Sequence, residues 1–416
     1  MVGETERMEY NIGMKLSEEL LWRGFKAETS IEDPAELDTR ENKKFYWGAD
    51  PSADSLTIGN LAALMMCACF VRHGYQPYLL VGGATGQIGD PKDNGERDLK
   101  PLEEVEYNKS RIKQQVENVI RSKDAVMVDN YDWFKDMNYL TFLREVGKVF
   151  SMTQLLDRQF VQNRIGEGGS GISYAEFSYT LIQGYDFLHL YREYGVPMQL
   201  CGADQYGNCT SGIHLIKRLE DAKADVWSTP LVIDPATGRK FGKSEGNAIW
   251  LASEKTSIFD FYQFWINQSD EAVEYLLKIY TLLEKPEVEA IMAEQIANPG
   301  TRVAQKALAK GATEVVHGVD ATEAVINLSE RLFAGNLQEL SSEEIVEFGN
   351  YLAKGQMGEK LFDIAVKTGL CASKGEAKKL ATAGAITVNG VKVAEDTPID
   401  QVALVKRGKN KFAVVV

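Results

Sequence analysis

A loop of small and polar residues leads from a short apolar segment directly into a predicted helix. Ser52 lies in this loop, and Thr57 and Asn60 stand at the helix start, so three neutral side chains can donate hydrogen bonds there. The first backbone N–H groups of a helix lack partners within it and carry partial positive charge, which suits phosphate. Gly59 would let a phosphate or an adenine ring approach the backbone closely. The same residues are also typical of an ordinary capped helix after a tight turn, so the pattern alone leaves both interpretations open.

A second polar set lies on a later predicted helix, at about residues 174–193. Tyr179, Gln183 and Asp186 follow one another at intervals of four and three residues and therefore share one face of that helix. Burying an amide and a carboxylate on an otherwise apolar face costs free energy unless both find partners. A polar ligand would supply those partners, and internal hydrogen bonds are the alternative.

A short basic segment, Lys240-Phe-Gly-Lys243-Ser244, lies among glycines at positions 238, 242 and 246. Glycine tolerates backbone conformations that other residues avoid, so this segment can move. Taken alone, it is equally typical of an exposed basic turn.

The chain around these residues predicts a parallel α/β sheet. Apolar segments at 45–47 and 78–81 flank a helical pattern from about Ile58 to Arg72, which makes one βαβ unit. Nearly continuous apolar strands are typical of a parallel sheet covered on both faces. Ligands of such sheets bind beyond the carboxyl ends of the strands, so the loops after the strands are candidate site loops. Further elements are predicted at 101–165 (mainly helical, with a break at 129–133), 196–201 (strand) and 230–233 (the last strand of this sheet).

The remainder predicts a helical domain and a small basic module. The pattern from about 257 to 349 is helical throughout. Residues 351–416 hold 11 Lys and Arg against 6 Asp and Glu, a balance of +5, whereas residues 1–350 hold 35 against 54, a balance of −19. Within the tail, residues 373–380 predict a basic helix, and Asn389-Gly390 is the preferred turn of a two-residue β-hairpin.

Composition limits the possible classes of protein. The chain has 416 residues and a formal net charge of −14, which predicts two to four domains and argues against a surface that binds polyanions everywhere. No apolar run approaches the ~20 residues of a membrane-spanning helix, and the acidic N-terminus resembles neither a signal nor a transit peptide. We therefore expect a cytoplasmic protein, most simply a bacterial one.

The five cysteines predict no metal or disulfide framework. They are odd in number and never spaced C-x-x-C, so we expect buried small side chains without a zinc site.

Two motifs in the same order and setting point to one family. Thr57-Ile-Gly-Asn60 resembles the HIGH signature of class I aminoacyl-tRNA synthetases, and Lys240–Ser244 resembles their KMSKS loop. The usual family residue at positions 57 and 60 is His, and Thr-Ile-Gly-Asn is similar to the form found in tryptophanyl-tRNA synthetases. Both replacements are neutral hydrogen-bonding residues, so ATP binding should survive.

Wider stretches of the chain resemble tyrosyl-tRNA synthetases in particular, and the C-terminal module resembles the S4-like RNA-binding domain of their bacterial form. These stretches are 46–60, 81–90, 179–186 and 199–208. Tyr206 stands where the family has Trp. The stretch 92–97 is one residue shorter than the family pattern, so no catalytic lysine is carried over from it.

The resemblance implies a three-domain α/β architecture. The implied parts are a Rossmann-like catalytic domain over 1–237 with a helical dimerisation insertion at about 130–175, a KMSKS-like loop and α-helical anticodon-recognition domain over 238–345, a linker over 346–357, and a small α+β S4-like RNA-binding domain over 358–416.

The resemblance also implies a ligase that joins L-tyrosine to tRNA(Tyr) through tyrosyl-adenylate, with ATP as substrate, Mg²⁺ accompanying it, and a homodimeric assembly. The residues implied in catalysis are Thr57, Asn60, Lys240, Lys243 and Ser244. Those implied around tyrosine are Tyr46, Asp90, Tyr179, Gln183, Asp186 and Gln205. Those implied around ATP are Gly48, Asp50, Ser52, Gly59, Gly202, Asp204 and Lys243. Those implied in RNA binding are Lys374, Lys378, Lys379 and Lys392, with Lys406, Arg407, Lys409 and Lys411 as further phosphate contacts.

Within this set, the family assigns Tyr46 and Asp186 to the phenolic hydroxyl of tyrosine and Asp90, Tyr179 and Gln183 to its ammonium group. Lys240 and Lys243 would close over the ATP phosphates. No protein metal cage and no tightly bound cofactor are expected. Two alternatives are a tryptophanyl-tRNA synthetase, which Thr-Ile-Gly-Asn favours, and a non-catalytic RNA-binding paralogue.

Overall fold

The computed structural model describes residues 13–90, 100–156, 159–166, 168–233, 238, 241, 243–244, 247–334 and 337–416. The chain divides into two compact units. The first runs to Lys243 and includes Lys278–Tyr280, and the second comprises Ser244–Leu277 and Thr281–Val416.

The first unit is an α/β fold whose strands alternate with helices. Its elements are α1 (Leu16–Arg23), α2 (Glu36–Thr39), β1 (Lys44–Ala49), α3 (Ile58–Arg72), β2 (Gln76–Val81), α4 (Thr85–Ile88), α5 (Leu102–Ile120), β3 (Val126–Val128), α6 (Tyr131–Phe134), α7 (Tyr139–Glu145), α8 (Met152–Leu156), α9 (Gln159–Ile165), α10 (Tyr174–Tyr194), β4 (Met198–Gly202), α11 (Tyr206–Glu220), β5 (Asp225–Thr229) and β6 (Lys243–Ser244, whose second residue belongs to the second unit).

The five strands β1 to β5 form one parallel sheet in the order β3-β2-β1-β4-β5. The predicted Rossmann-like parallel sheet is thereby confirmed. The crossover helix α3 is buried along most of its length, since its sequence is apolar on nearly every side. The chain moves outward from β1 to β2 and β3 on one side and from β4 to β5 on the other, so the strand order reverses between β1 and β4. Ligands of open α/β sheets bind outside the carboxyl ends of the strands at such a reversal.

One prediction about this sheet was wrong, because the last strand is Asp225–Thr229 and not 230–233. The stretch 101–165 is mainly helical, as predicted, but it also contains the strand Val126–Val128, which was missed. Both differences move a strand end, and therefore a site loop, along the chain.

The second unit combines helices with a small sheet. Its elements are β7 (Asn247–Ala248), α12 (Ile258–Ile266), α13 (Asp270–Tyr280, whose last three residues belong to the first unit), α14 (Lys285–Ala297), α15 (Val303–His317), α16 (Val319–Ala334), α17 (Ser342–Phe348), β8 (Ala353–Gly355), α18 (Leu361–Lys367), α19 (Lys374–Thr382), β9 (Ile386–Val388), β10 (Val391–Lys392), β11 (Ala403–Arg407) and β12 (Lys411–Val415).

The C-terminal sheet has the order β10-β9-β11-β12-β8. The predicted hairpin around Asn389-Gly390 is present as β9 and β10, and the predicted basic helix is α19, with Ser373 at its N-cap. The stretch 346–357, interpreted from the sequence as a linker, begins inside α17 and contributes β8, which pairs in parallel with β12. An aromatic cluster of Phe259, Phe333 and Phe412 packs between the helices and this sheet, so the stretch does not separate two independent bodies.

None of the described helices combines the length and hydropathy that a bilayer crossing requires. All five cysteines are buried free thiols, as predicted.

Candidate active site

A cavity of about 270 Å³ lies where the strand order reverses. It is lined by residues from the loops that follow β1, β2, β4 and β5 and from the helix α10. Fourteen residues that the sequence analysis names line it together: Tyr46, Gly48, Asp50, Ser52, Thr57, Gly59, Asn60, Asp90, Tyr179, Gln183, Asp186, Gly202, Asp204 and Gln205. The structure therefore brings the predicted tyrosine and ATP residues into one pocket.

The charged side chains in the described lining of this cavity are all acidic. Four aspartates line it, Asp50, Asp90, Asp186 and Asp204, and its described lining contains no lysine, arginine or histidine. Such a surface attracts an ammonium group and repels a triphosphate. A nucleotide would therefore need cations brought by a metal ion or by another segment of the chain.

Asp186 lies at the inner end and is held by two donors. Nδ2 of Asn130 donates to its Oδ2 at 3.1 Å and Nε1 of Trp133 donates to its Oδ1 at 2.9 Å. Burial, reinforced by the charges of Asp50 and Asp129, nevertheless raises the pKa of Asp186 from 3.8 to about 8. The carboxyl group is therefore poised to change protonation state near neutral pH.

Several polar atoms at the inner end have no partner. The Tyr46 hydroxyl, Oε1 of Gln183 and Oε1 of Gln199 are buried, and no described group lies within hydrogen-bonding distance of them. Buried polar groups are nearly always paired in native proteins, since an unpaired one costs about 1–3 kcal/mol. These three atoms fit a polar ligand that completes their hydrogen bonds.

Two of the other three carboxylates, those of Asp50 and Asp90, accept hydrogen bonds from neighbouring side chains. Oδ2 of Asp50 accepts a hydrogen bond from the Tyr179 hydroxyl at 2.7 Å. Asp90 accepts from Nε2 of Gln205 at 2.7 Å and from Nδ2 of Asn208 at 3.2 Å. The donors named here, Tyr179, Gln205 and Asn208, are neutral, and they fix two carboxyl groups at the cavity wall.

The structure shows the helix cap predicted for the loop before α3, and the predicted phosphate contact stays a prediction. Thr57 is the N-cap of α3, and its backbone N–H and its hydroxyl both donate to Oδ1 of Asn60, at 3.1 and 3.0 Å. The residues thus cap the helix while lining the cavity. Since Thr57 occupies the amide oxygen of Asn60, the amide nitrogen is the group of Asn60 suited to a phosphate oxygen.

Gly59 offers a direct test of the nucleotide assignment. A Cβ built there would meet only Oγ1 of Thr57 at 3.5 Å, an ordinary contact, so the protein itself has room for it. We expect Gly59→Ala to leave folding stability unchanged or up to about 1 kcal/mol higher, because alanine favours helices. If ATP fills this space, the KM for ATP should rise at least about tenfold, through a steric cost of 1.4 kcal/mol or more. Steady-state kinetics and thermal unfolding measure the two effects.

Gly207 provides the matched control for this variant. It occupies the same second position of its helix, α11, and a Cβ there would meet nothing within 4 Å, but it does not line the cavity. Gly207→Ala should change neither the KM for ATP nor the KM for tyrosine. An unchanged KM for ATP in Gly59→Ala would contradict the nucleotide assignment.

Gly202 lines the cavity, and its missing side chain also has a structural role there. Its implied place beside ATP stays a prediction. A Cβ at this position would come within 2.7 Å of Oδ1 of Asp204. The missing side chain therefore makes room for the carboxylate of Asp204, in the short 3-10 turn Ala203–Gln205.

The lysine segment falls outside this description. Lys240 and the side chains of Lys243 and Ser244 lie outside the described residues, while the neighbouring Phe241 lines the cavity. The implied phosphate contacts of Lys240, Lys243 and Ser244 stay predictions.

Sequence reasoning missed the residues that hold Asp186. Asn130 and Trp133 were interpreted only as part of a break at 129–133, because the preceding strand β3 was not recognised. Asn130 also accepts a hydrogen bond from the backbone N–H of Ala84 at 2.7 Å and donates to Oγ1 of Thr85 at 3.1 Å. The sequence signal that could have found them is the polar pair Asp129-Asn130, which directly follows the parallel strand β3.

Comparison with known proteins identifies the family. Residues 38–334 match the family model described as class I tRNA synthetases (W and Y). A protein of Streptococcus gordonii named Tyrosine--tRNA ligase is 39% identical over 97% of this chain and 100% of its own length. The chain belongs to the class I tyrosyl-tRNA synthetase family. A second member, from Staphylococcus haemolyticus, is 39% identical over 96% of this chain and 98% of its own length and bears the same name.

Solved structures of tyrosyl-tRNA synthetases agree with this assignment. A C-terminally truncated mitochondrial tyrosyl-tRNA synthetase of Aspergillus nidulans superposes with a TM-score of 0.68 at 30% identity, over 77% of this chain and 94% of that one. The tyrosyl-tRNA synthetase of Archaeoglobus fulgidus, complexed with L-tyrosine, shares the fold at 14% identity, with a TM-score of 0.55 over 74% of this chain and 99% of that one.

Proposed function

We propose that the cavity activates L-tyrosine with ATP and that the protein then transfers the tyrosyl group to tRNA(Tyr). The observation that carries this substrate is the inner end of the cavity, where the buried Tyr46 hydroxyl lacks a partner beside the buried carboxyl of Asp186. A phenol fits there because it both donates and accepts hydrogen bonds. The curated relatives named Tyrosine--tRNA ligase support this choice and oppose the tryptophan alternative.

Amino-acid-dependent pyrophosphate exchange tests the proposal. Tyrosine alone among the amino acids should drive the exchange of labelled pyrophosphate into ATP. Exchange driven by tryptophan would favour the other branch of the family, and tRNA binding without any exchange would favour the non-catalytic paralogue.

The geometry supports direct displacement on ATP. With its phenol at Asp186 and its ammonium group near Asp50 and Asp90, tyrosine would present its carboxylate toward the loops after β1 and β4. Attack of a carboxylate oxygen on the α-phosphorus would form tyrosyl-adenylate while the bond to pyrophosphate breaks. Orientation of the two substrates and stabilisation of the growing charge would supply the catalysis.

Magnesium ion suits the nucleotide end of this site. Carboxylate oxygens are ligands that Mg²⁺ prefers, but no three carboxylates of the described residues lie close enough together to hold a metal ion by themselves, so the ion would arrive bound to ATP. When bound with ATP, Mg²⁺ would screen the phosphate charges from the aspartates of the cavity. The aspartates thus favour the metal–nucleotide complex over free ATP.

Removing the Tyr46 hydroxyl should make the protein more stable but less selective for tyrosine. In the free protein this hydroxyl is buried and unpaired, so Tyr46→Phe should raise the free energy of unfolding by about 1 kcal/mol. The same change should weaken discrimination of tyrosine from phenylalanine by about tenfold, since one hydrogen bond to the phenol is lost. Chemical denaturation and competitive pyrophosphate exchange measure the two effects. A loss of stability together with unchanged discrimination would contradict the role of Tyr46.

We propose that the C-terminal module binds tRNA through the part of its sheet that surrounds Thr387. Thr387 on β9 lies opposite Lys392 on β10 and opposite Lys406 on β11, so two lysines flank one hydroxyl on the same face. The hydroxyl is buried and without a described partner. A cavity of about 380 Å³ opens beside it, lined partly by Lys406 and three glycines, at 384, 390 and 408. Two cations and a free hydroxyl fit a phosphate of the RNA backbone.

Charge reversal separates RNA binding from tyrosine activation. Lys392→Glu combined with Lys406→Glu should lower tRNA charging by about tenfold or more, and the effect should shrink as salt rises. Tyrosine-dependent pyrophosphate exchange should not change. Lys367→Glu is the control, because Lys367 lies in the same module but is paired with Glu359 at 2.8 Å. Equal effects of the control and of the double variant would contradict a specific site.

We propose that the predicted insertion at about 130–175 forms a homodimer interface. Its described residues include Tyr131, Tyr139, Leu140, Met152, Ile165 and Tyr174, whose exposed fractions range from 43 to 72%. Apolar side chains so exposed within one stretch of chain are typical of an interaction surface. Analytical ultracentrifugation of the full chain tests this proposal, and a monomer at micromolar concentration would contradict it.

We propose a cytoplasmic location for this activity. The relatives come from bacteria of the genera Streptococcus and Staphylococcus, and a tRNA ligase acts where tRNA is used. Cell fractionation with antibody detection tests this, and enrichment outside the cytoplasmic fraction would contradict it.

A further inference from the structure

Tyr280, the last residue of α13, is a fully buried side chain of the first unit. The end of this helix is anchored there by a second contact. Nη1 of Arg23 on α1 donates to the carbonyl oxygen of Lys278 at 2.7 Å, and the buried Arg23 is itself paired with Glu19 at 2.8 Å. Because hydrogen bonds from a charged donor are stronger than neutral ones, the segment 278–280 has a fixed place beside α1.

Tyr280 contacts both segments that the sequence analysis assigns to ATP. Its hydroxyl donates to the carbonyl oxygen of Ile58 at 3.1 Å, in the first turn of α3 and one residue before Gly59. Its ring packs against that of Phe241, with 6.0 Å between the ring centroids and 31° between the ring planes. Phe241 follows Lys240 in the lysine segment and lines the cavity. One side chain thus joins the start of α3 to the lysine segment.

Phe241 is held from a second direction by the loop after β5. Its backbone N–H donates to the carbonyl oxygen of Val232 at 2.8 Å, and Val232 also lines the cavity. The Phe241 ring is buried, and an aromatic pair at this distance contributes beyond the area that it buries. Phe241 is therefore a fixed point of the lysine segment, and the ring of Tyr280 is one of its supports.

We propose that Tyr280 is a positioning residue for the ATP end of the cavity, which keeps Phe241 and the start of α3 in register. The inference rests on the proposed activation of tyrosine with ATP. Tyr280 is not among the described residues that line the cavity, so it acts through the two segments that it joins. Displacement at the α-phosphorus depends on the orientation of the reacting groups, and a small misplacement lowers its rate strongly.

Tyrosine binding should not depend on Tyr280. The carboxyl group of Asp186, at the inner end of the cavity, is held by Asn130 and Trp133. These donors lie at the start of α6 and within it, and Asp186 lies on α10, so the inner end is built from elements other than α3 and α13. Loss of Tyr280 should therefore slow adenylate formation and leave the affinity for tyrosine unchanged.

Two variants of Tyr280 test this in the full chain. Tyr280→Leu removes the ring and the hydroxyl and should slow tyrosyl-adenylate formation by about tenfold or more, with the Kd for tyrosine changed less than about twofold. Tyr280→Phe keeps the ring and should slow it only about threefold, since one hydrogen bond is lost. Pre-steady-state kinetics and equilibrium dialysis measure the two quantities, and thermal unfolding shows that each variant is folded at the assay temperature.

Tyr75 supplies the matched controls. It is another buried tyrosine of the first unit that is not among the described residues lining the cavity. Its hydroxyl donates to the carbonyl oxygen of Leu37 at 2.6 Å, and its ring packs edge-on against Phe70 with 5.2 Å between the centroids. Tyr75→Leu and Tyr75→Phe should therefore cost stability, as the Tyr280 variants do, without slowing adenylate formation.

Hydrogen exchange measured by mass spectrometry gives a readout that needs no substrate. Peptides covering residues 57–64 should exchange faster in both Tyr280 variants than in the Tyr75 variants, because the first turn of α3 loses an anchor. The inference is overturned if folded Tyr280→Leu forms adenylate as fast as Tyr75→Leu, or if it loses rate and tyrosine affinity equally. An unmodified chain that forms no tyrosyl-adenylate would contradict the proposed function, and exchange at 57–64 would still decide whether Tyr280 holds α3.

Discussion

Replacing Lys243 with alanine should slow tyrosyl-adenylate formation by about 10²–10³-fold while tyrosine binding changes little. The reason is the charge of the cavity, where four aspartates face the ligands and the described lining offers no cation. We expect part of the positive charge that a departing pyrophosphate needs to come from the segment 240–244, whose lysine side chains lie outside the described residues. Contacts that strengthen as the leaving bond breaks lower the barrier without tightening the binding of tyrosine.

Pre-steady-state measurement of adenylate formation and equilibrium dialysis of tyrosine separate the two effects. Lys217→Ala is the matched control, since it removes one positive charge from the same unit at a residue that is 64% exposed and bound to Asp221. It should leave both quantities unchanged. Parallel losses of tyrosine binding and of rate in Lys243→Ala would mean that Lys243 supports the pocket itself.

The parts of the fold that local patterns encode were predicted well. The crossover helix α3 spans the predicted Ile58–Arg72 because its signals are local: a capping residue at Thr57 and a continuous apolar run. The hairpin at Asn389-Gly390 follows from its turn in the same way, since Asn389 has a φ of 47° and Gly390 a φ of 77°. Local chemistry was sufficient for both elements.

The parts that depend on distant partners were missed. Strand β5 contains Asp225 and Ser228, which look unsuited to a buried strand. Asp225 is paired with Arg40 at 2.5 Å, and Ser228 donates to the carbonyl of Glu28 at 2.6 Å. These partners lie almost 200 residues earlier in the chain, and no local pattern contains them. Strand β3 is a half-buried edge strand of three residues, so its pattern is too short to recognise.

The same limit applies to the candidate site. Resemblance supplied Asp186 but not Asn130 and Trp133, which donate to it. Motifs identify the groups that touch a ligand, whereas the residues that hold those groups come from the packing of elements far apart in the chain.

Asp186→Asn should weaken tyrosine binding by about 10²-fold, since a hydrogen bond to a charged carboxylate is worth about 1.5–3 kcal/mol. A phenol that donates to this carboxyl favours its ionised form and so lowers its pKa from about 8. Tyrosine binding should therefore release a proton near pH 7. Calorimetric titrations in buffers of different ionisation enthalpy measure that release, and Asp186→Asn should abolish it. Proton release that persists in the variant would assign the titration to another group.

The same residue makes stability depend on pH in a defined direction. Its pKa is about 8 in the folded protein against an ordinary 3.8, so between these values the folded state holds a proton that the unfolded state has released. This bound proton stabilises the folded state. The stabilisation is complete below pH 4 and is lost as the pH rises through 8. Asp186→Asn cannot ionise, so relative to the unmodified chain it should gain stability from pH 5 up to about pH 8 and then level off by pH 9. Denaturant unfolding across this range measures the difference, and parallel curves would mean that Asp186 is already ionised in the folded protein.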